Sequence, residues 1–296
     1  FRQFADGAEQ VLAWDTEPTR RVLGSGGTTT YFSKPVGKEA GDLPFREHYN
    51  RINAALAIAA ACRAVPMSAA AARRALSSFP GVKRRMTVHY RSPDGKTLLV
   101  EDYAHHPTEL KGALKSLREA FPGHRQIGIF QPHRFERVKR YAPAFGELLD
   151  TLDEAVIVKP FAAWIANDSI TDPKTIGDGM TRTPATYWEE DVEDLADHLM
   201  AHTHDPATPT VFAVIGAGNI ARLIPGFRTK LVRAYMEQRE ATVAQRCPRL
   251  PMTRSRPWSR LTSAGVGSAC PLFAEPVDRT ELRELLAVAS QHALPI

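Results

Sequence analysis

The period of the apolar positions changes along the chain. Residues 1–47 mix short apolar runs, Val11–Trp14 and Arg21–Leu23, with turn residues, the pattern of short strands and loops. Asn50–Arg63 is Ala-rich with high helix propensity, and Ser68 can cap a second helix that ends near Phe79-Pro80-Gly81. Arg85–Tyr90 and Thr97–Tyr103 are extended runs on either side of Pro93-Asp94-Gly95, which predicts a hairpin. After Tyr103 helix-like and strand-like runs alternate. Pro107–Phe121, Arg137–Leu152, Asp191–His202 and the residues from Asn219 onward read as helices, and Gln126–Gln131, Ala155–Lys159 and Thr210–Ile215 as buried strands. That alternation predicts an α/β, Rossmann-like domain, a parallel sheet with helices on its faces. From about Glu240 the periodicity fades through Pro248, Pro251 and Pro257, as in a linker. A Gly/Ser-rich segment (Thr262–Cys270), a strand around Phe273 and a helix from Arg279 to Ala289 follow.

Composition narrows the class. A chain of 296 residues, 43% hydrophobic and 24% charged, has room for roughly two domains with real cores. Its longest apolar stretch, Ala54–Cys62, falls far short of the ~20 residues of a bilayer span, so no membrane partner is expected. No leader pattern precedes it, and Cys62, Cys247 and Cys270 lack CxxC spacing, which together point to a cytoplasmic protein without disulfides. The net charge of +5 is concentrated: Arg228–Arg260 holds nine basic residues against Glu237 and Glu240. A basic helix end running into a Pro-rich connector reads as a solvated linker, so no nucleic-acid partner is expected. The chain, which starts at Phe1, is expected to be a fragment of a longer protein.

In parallel sheets ligands gather at the carboxyl ends of the strands, and the chemically informative residues fall there. Asp102 could accept hydrogen bonds from a ribose or help hold a metal, with His105 and His106 beside it; a plain helix-entry turn is the alternative. His133, Arg134 and Arg137 stand at the next strand-to-helix junction. Guanidinium forks bind carboxylate and phosphate, whereas a cationic first helical turn opposes the helix dipole, and that conflict favours a functional reading. Gly216-Ala217-Gly218 would let backbone approach an anion or simply form a tight turn. Gly24–Thr30 lacks the lysine of a phosphate loop, and His202 and His204 beside Asp205 read as a surface loop rather than a metal site.

Five blocks in order resemble the Mur ligases, the ATP-dependent amide-forming enzymes of peptidoglycan synthesis. They are Asn50-Arg-Ile-Asn53-Ala-Ala, Gly81-Val-Lys-Arg84-Arg85-Met86, Glu101–Glu109, Phe130–Arg137 and Gly216–Ile220. The wording Phe130-Gln-Pro-His-Arg134 is similar to the L-alanine-adding branch more than to the murein-tripeptide recycling branch, which stays as an alternative beside a non-catalytic Rossmann-like binding module with a basic tail. The resemblance implies the end of a central ATP-binding domain in 1–83, a ligase C-terminal domain in 84–239 and a linker in 240–257. It implies that Asn50 and Asn53 contact adenine, Arg85 the nucleotide phosphates and Asp102 the ribose. Tyr103, His105, His133, Arg134 and Arg137 would face UDP-N-acetylmuramate and L-alanine, with His105, Arg134 and Arg137 in catalytic roles. ATP with Mg²⁺ would activate the muramyl carboxylate as an acyl phosphate, which the amine then attacks. Tyr49, Ala162-Ala163-Trp164 and the missing glycine before the Asn50 helix depart from the family wording, and its UDP-binding domain and lysine-bearing phosphate loop would precede Phe1, leaving this chain inactive alone. Residues 258–296 resemble the start of the flavin-dependent UDP-N-acetylenolpyruvoylglucosamine reductases, which implies a two-enzyme fusion that binds FAD near Gly265, Val266 and Gly267. Cut off at Ile296, that segment is expected to dock loosely.

Overall fold

A computed structural model describes residues 2–24, 29–32, 48–79, 82–162, 172–257 and 269–291. The chain divides into two compact units, Phe1–Val82 and Lys83–Ile296.

In the first unit, α1 (Arg2–Asp6) precedes β1 (Val11–Trp14), which pairs in parallel with β2 (Thr29–Phe32). Arg21–Leu23, expected as a strand, instead ends the helix α2 (Glu17–Leu23). The reason is local. Thr16 and Thr19 form a reciprocal capping box and Pro18 sits in the first turn, which outweighs a three-residue apolar run. Helices α3 (His48–Ala64) and α4 (Ala69–Ser77) pack through Ile58 and through Ala54 and Ala72, whose small side chains allow close approach. Ser68 caps α4, its hydroxyl accepting from the amide of Ala71 at 3.2 Å.

The second unit is built on a six-stranded sheet in the order β3-β4-β8-β5-β6-β7. The strands are β3 (Thr87–Arg91), β4 (Thr97–Asp102), β5 (Arg125–Phe130), β6 (Glu154–Val158), β7 (Ala185–Trp188) and β8 (Thr210–Ile215). Only the β3–β4 hairpin is antiparallel; the other pairings are parallel. Adjacent residues of the central strands bury on opposite faces, Leu98 and Val100 on one and Leu99 on the other, as the two-residue period of a strand requires. The first face is covered by α5 (Pro107–Ala120) and α6 (Phe135–Leu149) through Leu110, Leu114, Val138 and Phe145. The second is covered by α7 (Leu195–His202) and α8 (Leu223–Arg246) through Leu195, Leu199, Leu223 and Phe227. Strand β7 and the 3₁₀ turn Pro173–Gly179 have no counterpart in the sequence expectation, because a four-residue half-buried strand carries too little apolar pattern to register.

The expected linker at 240–257 is corrected. Helix α8 continues to Arg246, and Met252–Pro257 is a strand, β9, antiparallel to β10 (Ala269–Ala274). Val243, Cys247 and Leu250 recur at helical spacing and close a small core with Val288 of α9 (Arg279–Gln291); the prolines only punctuate that segment. In the described part of 258–296, Ala274 and Leu285 pack beside that core. Arg239, read as part of the solvated basic run, is buried and pairs with Asp94 in the β3–β4 turn, which fastens α8 to the hairpin.

Asp150 caps α6 and accepts from the amides of Thr181 (3.1 Å), Arg182 (2.8 Å) and Thr183 (2.8 Å). The Thr183 and Arg182 amides hold its carboxyl well below the usual carboxylate range. A folded value below the unfolded ~3.9 means that this nest stabilises fully above about pH 4 and is lost as the pH falls below it. Asp150→Asn is therefore expected to lower the urea midpoint near pH 7 and to flatten its fall on acidification, which unfolding curves between about pH 2 and pH 7 will check.

Candidate functional site

The carboxyl ends of β4, β8 and β5 lie side by side, and the loops after them carry most of the residues singled out above. After β4 the chain makes a turn built around Asp102. Its carboxylate accepts from the amides of Met86 (3.0 Å) and Ala104 (2.9 Å) and from Arg85 Nη1 at 3.5 Å, with 3% of the side chain exposed. Burial raises its pKa, and those two amides and Arg85 offset the rise only in part. Asp102 ties the β4 turn to the Arg84–Met86 segment.

That segment crosses the turn in a strained conformation. Arg84 and Met86 have φ of 60° and 48°, a region non-glycine residues occupy only when neighbours impose it. The imposing contacts are the Tyr103 amide donating to the Arg84 carbonyl at 2.7 Å, the Met86 amide on Asp102, and the Arg84 side chain. Arg84 Nε donates to Glu101 Oε1 at 2.5 Å and Nη2 to the Gly216 carbonyl at 3.0 Å. Buried Glu101 also bonds His89 Nε2 at 2.8 Å. The Arg84 guanidinium lies 4.7 Å and that of Arg85 5.8 Å from the Tyr103 ring, so two cations fix this aromatic wall.

His105 and His106 diverge. His106 is the N-cap of α5, its Nδ1 accepting from the Thr108 amide at 3.3 Å, and its ring packs on Tyr141. His105 turns toward β5, with its ring centroid 5.3 Å from Tyr103 and 5.7 Å from His133. Glu109, on the first turn of α5, accepts from the His105 amide at 3.0 Å and lies 3.6 Å from Arg85 Nη2. Burial alone would raise the Glu109 carboxyl, but the His105 amide and the charges of His105 and Arg85 leave it below its ordinary value.

After β5, Arg134 is the N-cap of α6 with φ 71°, its amide donating to the Phe161 carbonyl at 2.8 Å. The Phe161 amide returns to the Pro132 carbonyl, and Phe161 stacks on His133 at 5.7 Å. Arg137 Nη1 donates to His133 Nδ1 at 3.1 Å. Burial, then Arg137, His105 and Arg134, push the His133 pKa below the ordinary imidazole value, so the ring is neutral near pH 7.

Gly216 and Gly218 prove to be packing residues. Gly216 has φ 152°, and a Cβ on Gly218 would stand 2.5 Å from both Gln131 Oε1 and Phe161 Cβ. The buried Gln131 amide occupies that space, accepting from the Ile220 amide at 3.0 Å and donating to Asn219 Oδ1 at 2.8 Å, which clips the end of β8 to that of β5. Gln131, Glu109, Arg84, Glu101 and His89 were not singled out from the sequence. A buried polar residue inside an otherwise apolar strand end was the available signal for Gln131 and Glu101.

The other expected residues lie apart. Asn50, half-buried, and Asn53, exposed, belong to α3 of the first unit. Gly265, Val266 and Gly267 lie outside the described residues, as do Gly81, most of the Gly24–Thr30 loop, Ala163 and Trp164. Among the described residues, no group of three or more His, Cys, Asp or Glu side chains is placed to hold a metal ion. No described helix is long and apolar enough to cross a membrane.

Residues 84–218 match the family model of the Mur ligase, glutamate ligase domain, which spans the turn of Arg84 through the Gly216–Gly218 clip. This stretch is similar to the Mur ligase C-terminal domain. The chain is similar to the UDP-N-acetylmuramate–L-alanine ligase of Halorhodospira halophila, 34% identical over 186 residues that are 62% of this chain and 37% of that protein. The ligase of the same name from Thermotoga neapolitana is 32% identical over 148 residues, 50% of this chain and 31% of that one. Among solved structures, the crystal structure of the UDP-N-acetylmuramate-alanine ligase MurC from Thermotoga maritima matches 65% of this chain and 40% of its own, with a TM-score of 0.53 and 26% identity. The chain thus spans well under half the length of these relatives. The Arg84–Met86 turn, the His105 turn and the Arg134 cap all fall inside the matched region.

Proposed function

We propose that this chain is part of a peptidoglycan-precursor ligase that joins L-alanine to the carboxylate of UDP-N-acetylmuramate at the expense of ATP. The observation that carries the reading is the cluster at the ends of β4 and β5, where Tyr103, His105, His133, Arg134 and Arg137 come together within the stretch that matches the Mur ligase family model. Arg134 and Arg137 stand at a helix N-terminus, where the macrodipole disfavours cations unless an anion joins them. A carboxylate, an acyl phosphate or the oxyanion of a tetrahedral intermediate fits that requirement.

In this reading the muramyl carboxylate oxygen attacks the γ-phosphorus of ATP, and the amine of L-alanine displaces phosphate from the acyl phosphate. Arg134 and Arg137 hold the developing negative charge, and Arg85, held by Asp102 and Glu109, offers positive charge beside the Tyr103 wall for the nucleotide phosphates. Asn50 and Asn53 stand three apart on one helix face, an arrangement suited to an adenine edge. Mg²⁺ and the β- and γ-phosphates would be held by the lysine-bearing loop of the intact parent, so activity is assigned to that parent and not to this chain alone. The wording of 258–276 supports a fused flavin reductase, and FAD belongs to that part.

The acyl-phosphate route predicts oxygen transfer. With UDP-N-acetylmuramate labelled with ¹⁸O in its carboxylate, the full-length parent is expected to release inorganic phosphate that carries one label per amide formed. Unlabelled phosphate at full amide yield would refute the route.

A further inference from the structure

The two imidazoles that face each other across the site are held by partners of opposite hydrogen-bonding character. His105 Nδ1 lies 3.0 Å from the Tyr103 carbonyl oxygen and 3.2 Å from Glu109 Oε2. Both of those oxygens only accept, so Nδ1 carries the proton and the neutral ring keeps its lone pair on Nε2. His133 Nδ1 lies 3.1 Å from Arg137 Nη1, an atom that only donates, so here Nδ1 keeps the lone pair and the proton sits on Nε2. The rings stand 5.7 Å apart at 64°, and Phe161 stacks on His133. Glu109 is itself fixed, taking the His105 amide on Oε2 with Arg85 beside Oε1.

From this arrangement we infer that Glu109 and Arg137 lock opposite tautomers of the pair, which makes His105 Nε2 the proton acceptor for the incoming amino acid's ammonium group and His133 Nε2–H a donor to an oxyanion of the substrate. The proton step rests on the ligase reading above. An ammonium N–H bond breaks, its electron pair stays on nitrogen, and the proton bonds to His105 Nε2; the imidazolium that results is balanced at Nδ1 by the Glu109 carboxylate. The freed lone pair forms the C–N bond at the acyl carbon. The C–O bond to phosphate breaks with its electrons going to oxygen, and the second amine proton leaves with the phosphate. His105 is then the catalytic base, and Glu109 is a positioning residue that acts through it.

Two measurements test this. In the chain itself, labelled with ¹⁵N-histidine and held at about pH 8, above the ordinary imidazole range, long-range ¹H–¹⁵N correlation spectra are expected to show the Nδ1–H form for His105 and the Nε2–H form for His133. The reverse form at either ring overturns the assignment whatever the protein's function. In the full-length parent, Glu109→Gln keeps an oxygen acceptor but loses the charge, and is expected to lower kcat for amide formation ~10-fold or more while KM for the amino acid stays within about twofold. Unchanged kcat, or a loss confined to KM, overturns the role of Glu109. A parent that forms no amide with any amino acid overturns the ligase reading and the proton step together, whereas the tautomer pair is judged on the spectra of the chain alone.

Discussion

Replacing Arg134 or Arg137 with alanine in the full-length parent is expected to lower kcat/KM for alanine addition by roughly 10²-fold or more, the loss seen when one preorganised donor to a developing oxyanion is removed. The two residues reach this role differently. Arg134 occupies the N-cap of α6 at φ 71°, where a glycine would suit the backbone better and a side chain that accepts hydrogen bonds would cap the helix. Neither the cap nor the backbone asks for arginine. Arg137 has a second duty, since its Nη1 holds the neutral tautomer of His133. Arg137→Ala should therefore also free the His133 ring, and the double variant should fall short of the sum of the single losses. Turnover unchanged in both single variants, measured with a folded parent, would refute the assigned role.

Phe145→Ala is expected to destabilise the second unit by about 3–5 kcal/mol, the usual cost of an aromatic-sized cavity in a close-packed core. Phe145 is fully buried on the inner face of α6, its ring 5.0 Å from that of Phe130 at the end of β5. Val138, Ala142 and Leu149 share that face. The same helix begins at the Arg134 cap and carries Arg137, so a shift of α6 reaches the site directly. Chemical denaturation of the chain checks the stability, and a loss under about 1 kcal/mol would show that α6 is not anchored through this ring.

The sheet was readable because its strands are short, continuous apolar runs separated by amphipathic helices, a pattern that only a parallel α/β layer buries. The site was readable in position for a related reason, since strand ends of such sheets gather ligands. Its internal wiring was not. Nothing in a linear reading separates an Asp102 that meets a ribose from one that ties down two backbone amides, and the distinction rests on Met86 crossing back over β4 at positive φ. Glycines 216 and 218 suit an anion cradle or a tight turn alike, because glycine is required both where backbone meets a ligand and where it meets a neighbouring side chain; the neighbours here are Gln131 and Phe161. In 240–257 the density of proline and arginine masks the helical spacing of Val243, Cys247 and Leu250, which close a core. Arg239, buried against Asp94, could not be told from its exposed neighbours by charge alone.

The central claim is that the face formed by Tyr103, His105, His133, Arg134 and Arg137 serves amide synthesis on an activated carboxylate. Mass analysis of the products made by the full-length parent from ATP, UDP-N-acetylmuramate and an equimolar mixture of amino acids tests it most directly. The account predicts one dominant new nucleotide product, heavier than the starting nucleotide by one alanine residue, formed in step with phosphate release and reduced roughly 10²-fold in the Arg137→Ala parent. Phosphate released without a new amide, or an amide whose formation is indifferent to Arg137, would contradict it.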